Sequence, residues 1–462
     1  MFRSVVAALL APVRPVRSFA LWAGLAMLAL PAAPARADIG AWIVVDMESG
    51  AVLDQKQALR QWYPASITKL MTAYLTFKAI RDGRATPQSA VTISANAHAE
   101  PPSKMGFKPG TRISLESALK MLIVKSANDV AVAVAESIGG SEPAFIQMMN
   151  AEARRLGMSA TRFVNPHGLP DNRQVSSARD LAVLARAVWR EFPEYRSYFN
   201  LVGIRVGKKA LRSANREFLL RVQGANGMKT GYICNSGLNV VVSATRGGRT
   251  VMAVILGAAS GVERAAKARV LIDDGFKARG GRSVDQLTGV AGKPPADGYC
   301  KRNSRPEAEE LMAAFAKKTR SSSILSFARG DLNSGGIRRS IVAAPAPSGQ
   351  VGSLTVPLRA DGKTDWAKVM DTVIGPRLRD YQAVPVSTSA PSAAIAPQVV
   401  DGTPVPVPGT PKPVAKPLAA AAGLASVPAV AAPVAQQPAK PGAIFRGEPL
   451  LIAPIPPQNP RP

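Results

Sequence analysis

Apolar and polar positions follow several distinct rhythms along this chain. A continuous apolar run from Phe19 to Leu30 comes first, preceded by Arg3, Arg14 and Arg17 and followed by Ala35-Arg36-Ala37. A basic start, a run too short to span a bilayer comfortably and an A-x-A step predict a cleavable export signal over residues 1–37, with an uncleaved anchor as the alternative. Ala41 to Val45 (AWIVV) and Ala51 to Asp54 (AVLD) then flank Glu48-Ser49-Gly50, which predicts a β-hairpin. Ile67 to Ile80 is rich in Leu, Met and Ala, with few breakers until Gly83. It predicts a largely buried helix, with Pro64 just ahead of it where proline is tolerated.

Further on, Leu115, Leu119, Leu122 and Ile123 give one helical face behind Ser114, a fair N-cap, and Ala127 to Ser137 give a second helix that stops at Gly139-Gly140. Leu238 to Ala244 and Thr250 to Leu256 predict strands joined by Arg246-Gly247-Gly248-Arg249, and Ala265 to Phe276 a closing amphipathic helix. Hairpin, helices, hairpin, helix is an α+β order built on an antiparallel sheet. Beyond about Gly280 the rhythms fade, which bounds the expected folded domain at 38–280. Residues 281–384 hold Asp365-Trp366 and Tyr381 but no clear strand series, and are expected to be weakly structured. From Pro385 to the end, about half of the chain's 39 prolines stand among Ala and Val. Such a stretch buries too little apolar surface to offset chain entropy, so a disordered Pro/Ala-rich tail is expected over 385–462.

Composition narrows the range of functions. A formal net charge of +27 favours anionic surroundings. Export and the lack of a nucleic-acid-binding motif exclude DNA and RNA, leaving electrostatic association with an anionic membrane or wall surface. For Cys234 and Cys300, the two cysteines of the chain, a disulfide and a pair of free thiols are both open, export favouring the first. With only His98 and His167 besides, no metal site and no cofactor is expected.

One ammonium then stands out. In "PASITKLMTAY", Pro64 to Tyr74, Ser66 precedes Lys69 by three residues within apparent core. That spacing puts both side chains on one helical face. A desolvated lysine near another cation loses proton affinity and can take the serine's proton, turning a poor nucleophile into a competent one. Alone the pattern is weak, since Ser117-Ala118-Leu119-Lys120 also fits it. Ser126-Ala127-Asn128 follows, matched by chance at Ser94 and Ser213, and then Lys229-Thr230-Gly231 ahead of a strand-like segment, which occurs once.

S-x-x-K, S-x-N and K-T-G in this order form the signature shared by penicillin-binding proteins and class A β-lactamases. With "LIVKSANDVAVAVAE", "TRFVNPHGLP" and "GMKTGY" added, the chain from about Ala41 to Phe276 resembles the D-alanyl-D-alanine carboxypeptidases, low-molecular-mass penicillin-binding proteins of serine peptidase family S11. The resemblance implies the penicillin-binding-protein/β-lactamase-like transpeptidase fold with a helical subdomain. It implies a periplasmic enzyme that removes the terminal D-Ala from peptidoglycan stem peptides through an acyl-enzyme on Ser66, and that β-lactams inhibit covalently. Lys69 would be the base, Ser126 a proton relay and Asn128 a substrate-orienting amide. Lys229 and Thr230 of the Lys229-Thr230-Gly231 motif would meet the terminal carboxylate. The N–H groups of Ser66 and Tyr232 would form the oxyanion hole, and Arg264 would add a guanidinium for the carboxylate. His167 is expected to be structural.

Of three competing functions, two are separable by sequence. A class A β-lactamase needs an E-x-x-L-N loop between the second and third motifs, where this chain has "FVNPHGLP" instead. A non-catalytic wall-binding scaffold would be expected to have lost the serine, the base or the K-T-G lysine, all of which are present. D,D-endopeptidase cleavage would use the same site. The ending "IAPIPPQNPRP" has neither helical period nor apolar face, so anchoring by a C-terminal amphipathic helix is not expected.

Overall fold

The computed structural model describes residues 39–316 and 355–388, together with the backbone of two short strands at Gln398–Val400 and Thr403–Val405. The expected export signal and most of the Pro/Ala-rich tail lie outside the described residues. The first hairpin is β1, Ala41–Asp46, and β2, Val52–Lys56. Its turn is held by Asp46 Oδ1, which accepts from the backbone N–H groups of Glu48 and Ser49, each at 3.1 Å. After the helices come β3, Ala225–Ile233; β4, Gly237–Arg246; and β5, Arg249–Ala258. Together they make one antiparallel sheet in the order β2-β1-β5-β4-β3.

Both faces of this sheet are covered, which is why its inner strands are nearly continuous in Val, Ile and Ala instead of alternating with polar residues. Ile43, Val45, Val241, Met252 and Val254 point to one side. There they pack with α1, Lys69–Arg81; α2, Leu115–Val124; α3, Asn128–Gly139; α4, Glu142–Arg155; and α5, Ala178–Glu191. All twelve residues of α3 are buried, and it packs against α1, α2 and α4. Val44, Val240, Val242, Ala253 and Ile255 point to the other side, onto α6, Gly261–Lys277. Ser114 caps α2 as expected, accepting from the N–H of Ser117.

The packing does not stop at 280. Val284, Leu311, Met312, Val369, Val373 and Ile374 are all buried. Two helices, α7, Ala308–Phe315, and α8, Trp366–Val373, lie against α6. Val384–Pro385 then adds in parallel to the hairpin Gly203–Val206/Lys209–Arg212, and Ser117 Oγ donates to the carbonyl of Ser387 at 2.7 Å. Each helix is only about two turns long, with apolar residues at i, i+3, i+4 and i+7, and the surface beside α6 that buries that face exists only once the sheet has formed. Cys234 and Cys300 are joined in a disulfide. Next to it Tyr299 packs edge-on against Trp62 and donates to the carbonyl of Gly257.

Candidate active site

Ser66 lies in a 3-10 turn, Ala65–Thr68, that runs straight into α1, whose first residue is Lys69. Lys69 is 1% exposed. Its ammonium donates to Ser66 Oγ at 3.2 Å, to Asn128 Oδ1 at 2.8 Å and to the carbonyl of His167 at 2.7 Å. Burial, and after it the positive charge of Lys229, hold its pKa well below the ordinary lysine value; the carboxylates of Glu100 and Asp129 pull the other way. An amine that gives up its proton easily, within reach of a hydroxyl, is equipped to act as its base.

The second motif stands at a break between helices. Past the end of α2, Ser126 adopts φ 63°, left-handed backbone that a serine occupies only at a cost of roughly 1 kcal/mol or more, and α3 begins at Asn128. Lys229 reaches across from the sheet and donates to Ser126 Oγ at 2.8 Å. Lys229 is 2% exposed. Burial, with the charge of Arg264 added, lowers its pKa to about 7.

Lys229, Thr230 and Gly231 lie inside β3, at the edge of the sheet, and not ahead of a strand as the sequence suggests. Gly, Asn and Lys mask the first half of that strand, because they are poor strand formers. A Cβ on Gly231 would stand 2.8 Å from the carbonyl oxygen of Pro64 and 3.1 Å from the Ser66 nitrogen. Only glycine lets the strand press this closely on the serine turn. Tyr232, the next residue, is 55% exposed at the rim. Asn239, opposite Gly231 on β4, fastens the same junction by donating to the carbonyl of Tyr63 and accepting from the N–H of Gly257.

Arg264, in the first turn of α6, is buried, and its guanidinium donates to the backbone carbonyls of Ala214 at 3.1 Å and Asn239 at 3.4 Å. Burial lowers its pKa to about 10. Hydrogen bonds therefore join Ser66, Lys69 and Asn128 in one group and Ser126 with Lys229 in another. Thr230, Gly231 and Tyr232 follow along the edge strand, and Arg264 acts on Lys229 through its charge. The decoy motif is structural: Ser117 bonds the carbonyl of Ser387, and Lys120 pairs with Glu116 at 2.6 Å. Sequence reasoning missed Asn239, Glu100 and the carbonyl of His167. Only the last left a signal, the Asn165-Pro166-His167-Gly168 string. Gly168, at φ 85°, sits so close to the serine turn that a Cβ would fall 1.9 Å from the Ala65 oxygen.

A buried lysine beside a serine, a second serine and lysine facing them, and a glycine-pressed edge strand make the arrangement that the S-x-x-K, S-x-N and K-T-G signature of penicillin-binding proteins calls for. Residues 29–260 match the family described as peptidase S11, D-alanyl-D-alanine carboxypeptidase, and this chain belongs to that family. It is 37% identical over 250 residues to the D-alanyl-D-alanine carboxypeptidase DacD of Salmonella typhimurium, covering 52% of this chain and 64% of that protein. Against DacD of Escherichia coli the identity is 36% over 264 residues, covering 55% and 68%. The chain thus spans a little less than two thirds of the Salmonella protein. Among solved structures, penicillin binding protein 6B from Escherichia coli is 34% identical with a TM-score of 0.50, covering 54% of this chain and 80% of that one. Among the described residues, no helix is long and apolar enough to cross a membrane.

Proposed function

We propose that this chain is an exported, periplasmic serine D-Ala-D-Ala carboxypeptidase acting on peptidoglycan stem peptides, and that β-lactams acylate it. The observation that carries this function is Lys69, fully buried, low in proton affinity and bonded to Ser66 Oγ. Lys69 takes the serine proton as Oγ attacks the carbonyl of the penultimate D-Ala. The N–H groups of Ser66 and Tyr232 stabilise the oxyanion, a charge that exists only along the reaction path. Ser126, bonded to Lys229, passes a proton to the departing D-Ala amine. Asn128 orients the peptide, Lys229 and Thr230 hold the terminal carboxylate, and Arg264 supports them from behind the strand. Water then releases the shortened peptide. The basic surface expected from the net charge of +27 would keep the enzyme near anionic membrane or wall polymers.

The test is D-Ala release from pentapeptide muropeptides by the purified protein, alongside labelling by a fluorescent penicillin. Ser66→Ala should lose both while retaining its melting temperature, because only a partly exposed hydroxyl is removed. Labelling that persists in this variant would place the nucleophile elsewhere.

A further inference from the structure

Three oxygens surround the Lys69 amine: Ser66 Oγ, Asn128 Oδ1 and the His167 carbonyl. Two of those three belong to residues that meet consecutive positions of one loop. Pro101 offers its carbonyl to Asn128 Nδ2 at 2.9 Å, which fixes the amide so that its oxygen faces Lys69. Glu100 brings Oε2 to 3.3 Å from His167 Nε2. The other ring nitrogen, Nδ1, accepts from the N–H of Leu169 at 3.1 Å, so Nε2 is the one that carries hydrogen toward the carboxylate. Glu100 Oε2 is buried yet makes no well-aligned hydrogen bond among the described residues, an arrangement that costs free energy offset only in part by its approach to His167 Nε2.

The loop is pinned from the other side as well. The Asp129 carboxylate accepts from the N–H groups of Met105 and Gly106, the Asn128 N–H donates to the Ser103 carbonyl at 2.7 Å, and Ser103 Oγ donates to the carbonyl of Lys125. The loop is therefore tied to the start of α3 rather than to solvent.

We propose that Glu100 is a positioning residue for Lys69: together with Pro101 it clamps the two acceptors that aim the lysine at Ser66, and it supplies a fixed negative charge behind that lysine. The proposal rests on the assignment of Ser66 and Lys69 as nucleophile and base. Three charges act on the amine, from three elements: Lys229 on β3, Asp129 on α3 and Glu100 on the loop; His167, on the turn 165–168, meets it through its backbone carbonyl. Removing the charge of Glu100 leaves Lys229 less opposed, so the neutral amine should persist to lower pH.

The experiment is the rate of Ser66 acylation by a fluorescent penicillin against pH, using the full chain, in wild type, Glu100→Gln and Glu100→Asp. In Glu100→Gln the acid limb should move down by about half a pH unit or more, with the melting temperature held. Glu100→Asp keeps the charge on a shorter stem, so its limb should stay near the wild-type position while the plateau falls as His167 loosens. The two histidines give two resolvable imidazole signals in NMR, and the His167 signal should change in both variants. An unmoved acid limb in Glu100→Gln, or a loss of rate equal at every pH, overturns the proposal. Absence of labelling in wild type would instead overturn the assignment of Ser66 itself.

Discussion

Adding one methyl group at Gly231 tests whether the contact between edge strand and serine turn is part of the chemistry. In Gly231→Ala the new Cβ would meet the Pro64 oxygen at 2.8 Å and the nitrogens of Ser66 and Ile67 at 3.1 Å, all backbone atoms that no rotamer change can move aside. An ordinary carbon–oxygen contact needs about 3.3 Å or more, so strand and turn must separate by roughly 0.5 Å. The Ser66 and Tyr232 N–H groups would then splay apart. Donors to an oxyanion act at about 2.7–3.1 Å, and losing one typically costs about 10²- to 10³-fold in rate. Overpacking should also cost roughly 1–3 kcal/mol of stability. The assay is the second-order rate of Ser66 acylation by a fluorescent penicillin, read beside thermal unfolding. We expect acylation to fall about a hundredfold in a protein that still unfolds cooperatively, a few degrees lower. A folded variant that acylates within threefold of wild type would refute the reasoning, since the junction would then tolerate displacement without losing its donors.

Other perturbations separate the charges in the site. Lys69→Arg keeps a cation that cannot be neutral, and acylation should drop by about 10²- to 10⁴-fold; near-normal labelling would assign the base elsewhere. Lys229 binds its proton with a pKa of about 7 in the folded chain against 10.5 ordinarily, so between those values the unfolded chain holds the extra proton and stability rises with pH. Denaturant unfolding at pH 6.5 and pH 10 should show that rise, on the order of a few kcal/mol, shrinking in Lys229→Met; an equal rise in both proteins would refute it. Arg264→Ala removes the charge that helps depress Lys229, so the basic limb of kcat/KM for peptides ending in D-Ala-D-Ala should move to higher pH, and an unmoved limb would break that link.

Local pattern carried the sheet and the candidate site residues. The hairpin at Ala41–Asp46 and Val52–Lys56, the strands Gly237–Arg246 and Arg249–Ala258 and the helix Gly261–Lys277 follow from residue types that prefer those states, with ends displaced by a few residues. Ser66, Lys69, Ser126 and Asn128 were legible because a motif fixes chemistry at short spacing. What escaped depends on contacts distant in the chain. Glu100 meets His167 across 67 positions, and no property of an isolated Glu-Pro step announces it. Arg264 was expected to offer its guanidinium to a carboxylate; that it also donates to the carbonyls of Ala214 and Asn239 depends on residues 50 and 25 positions away. Val369 and Val373 lie on the apolar face of a helix only two turns long, too brief a pattern to stand out in the sequence until α6 is there to cover it.

The bond between Cys234 and Cys300 has a mechanical meaning as well as a thermodynamic one. It begins two residues past Tyr232, at the end of the strand that bears Lys229, and rejoins the chain 66 positions later. Everything between, including β4, β5 and α6, hangs on a closed ring. Tension applied to the chain on either side of that ring passes through two sulfur atoms, so the enclosed strands carry no load along their own backbone. At about 3.4 Å per residue, roughly 220 Å of chain is withheld from extension until the bond is reduced. The middle of the sheet is thereby isolated from pulling, and the edge strand that lines the site is fastened to the part that cannot be drawn out.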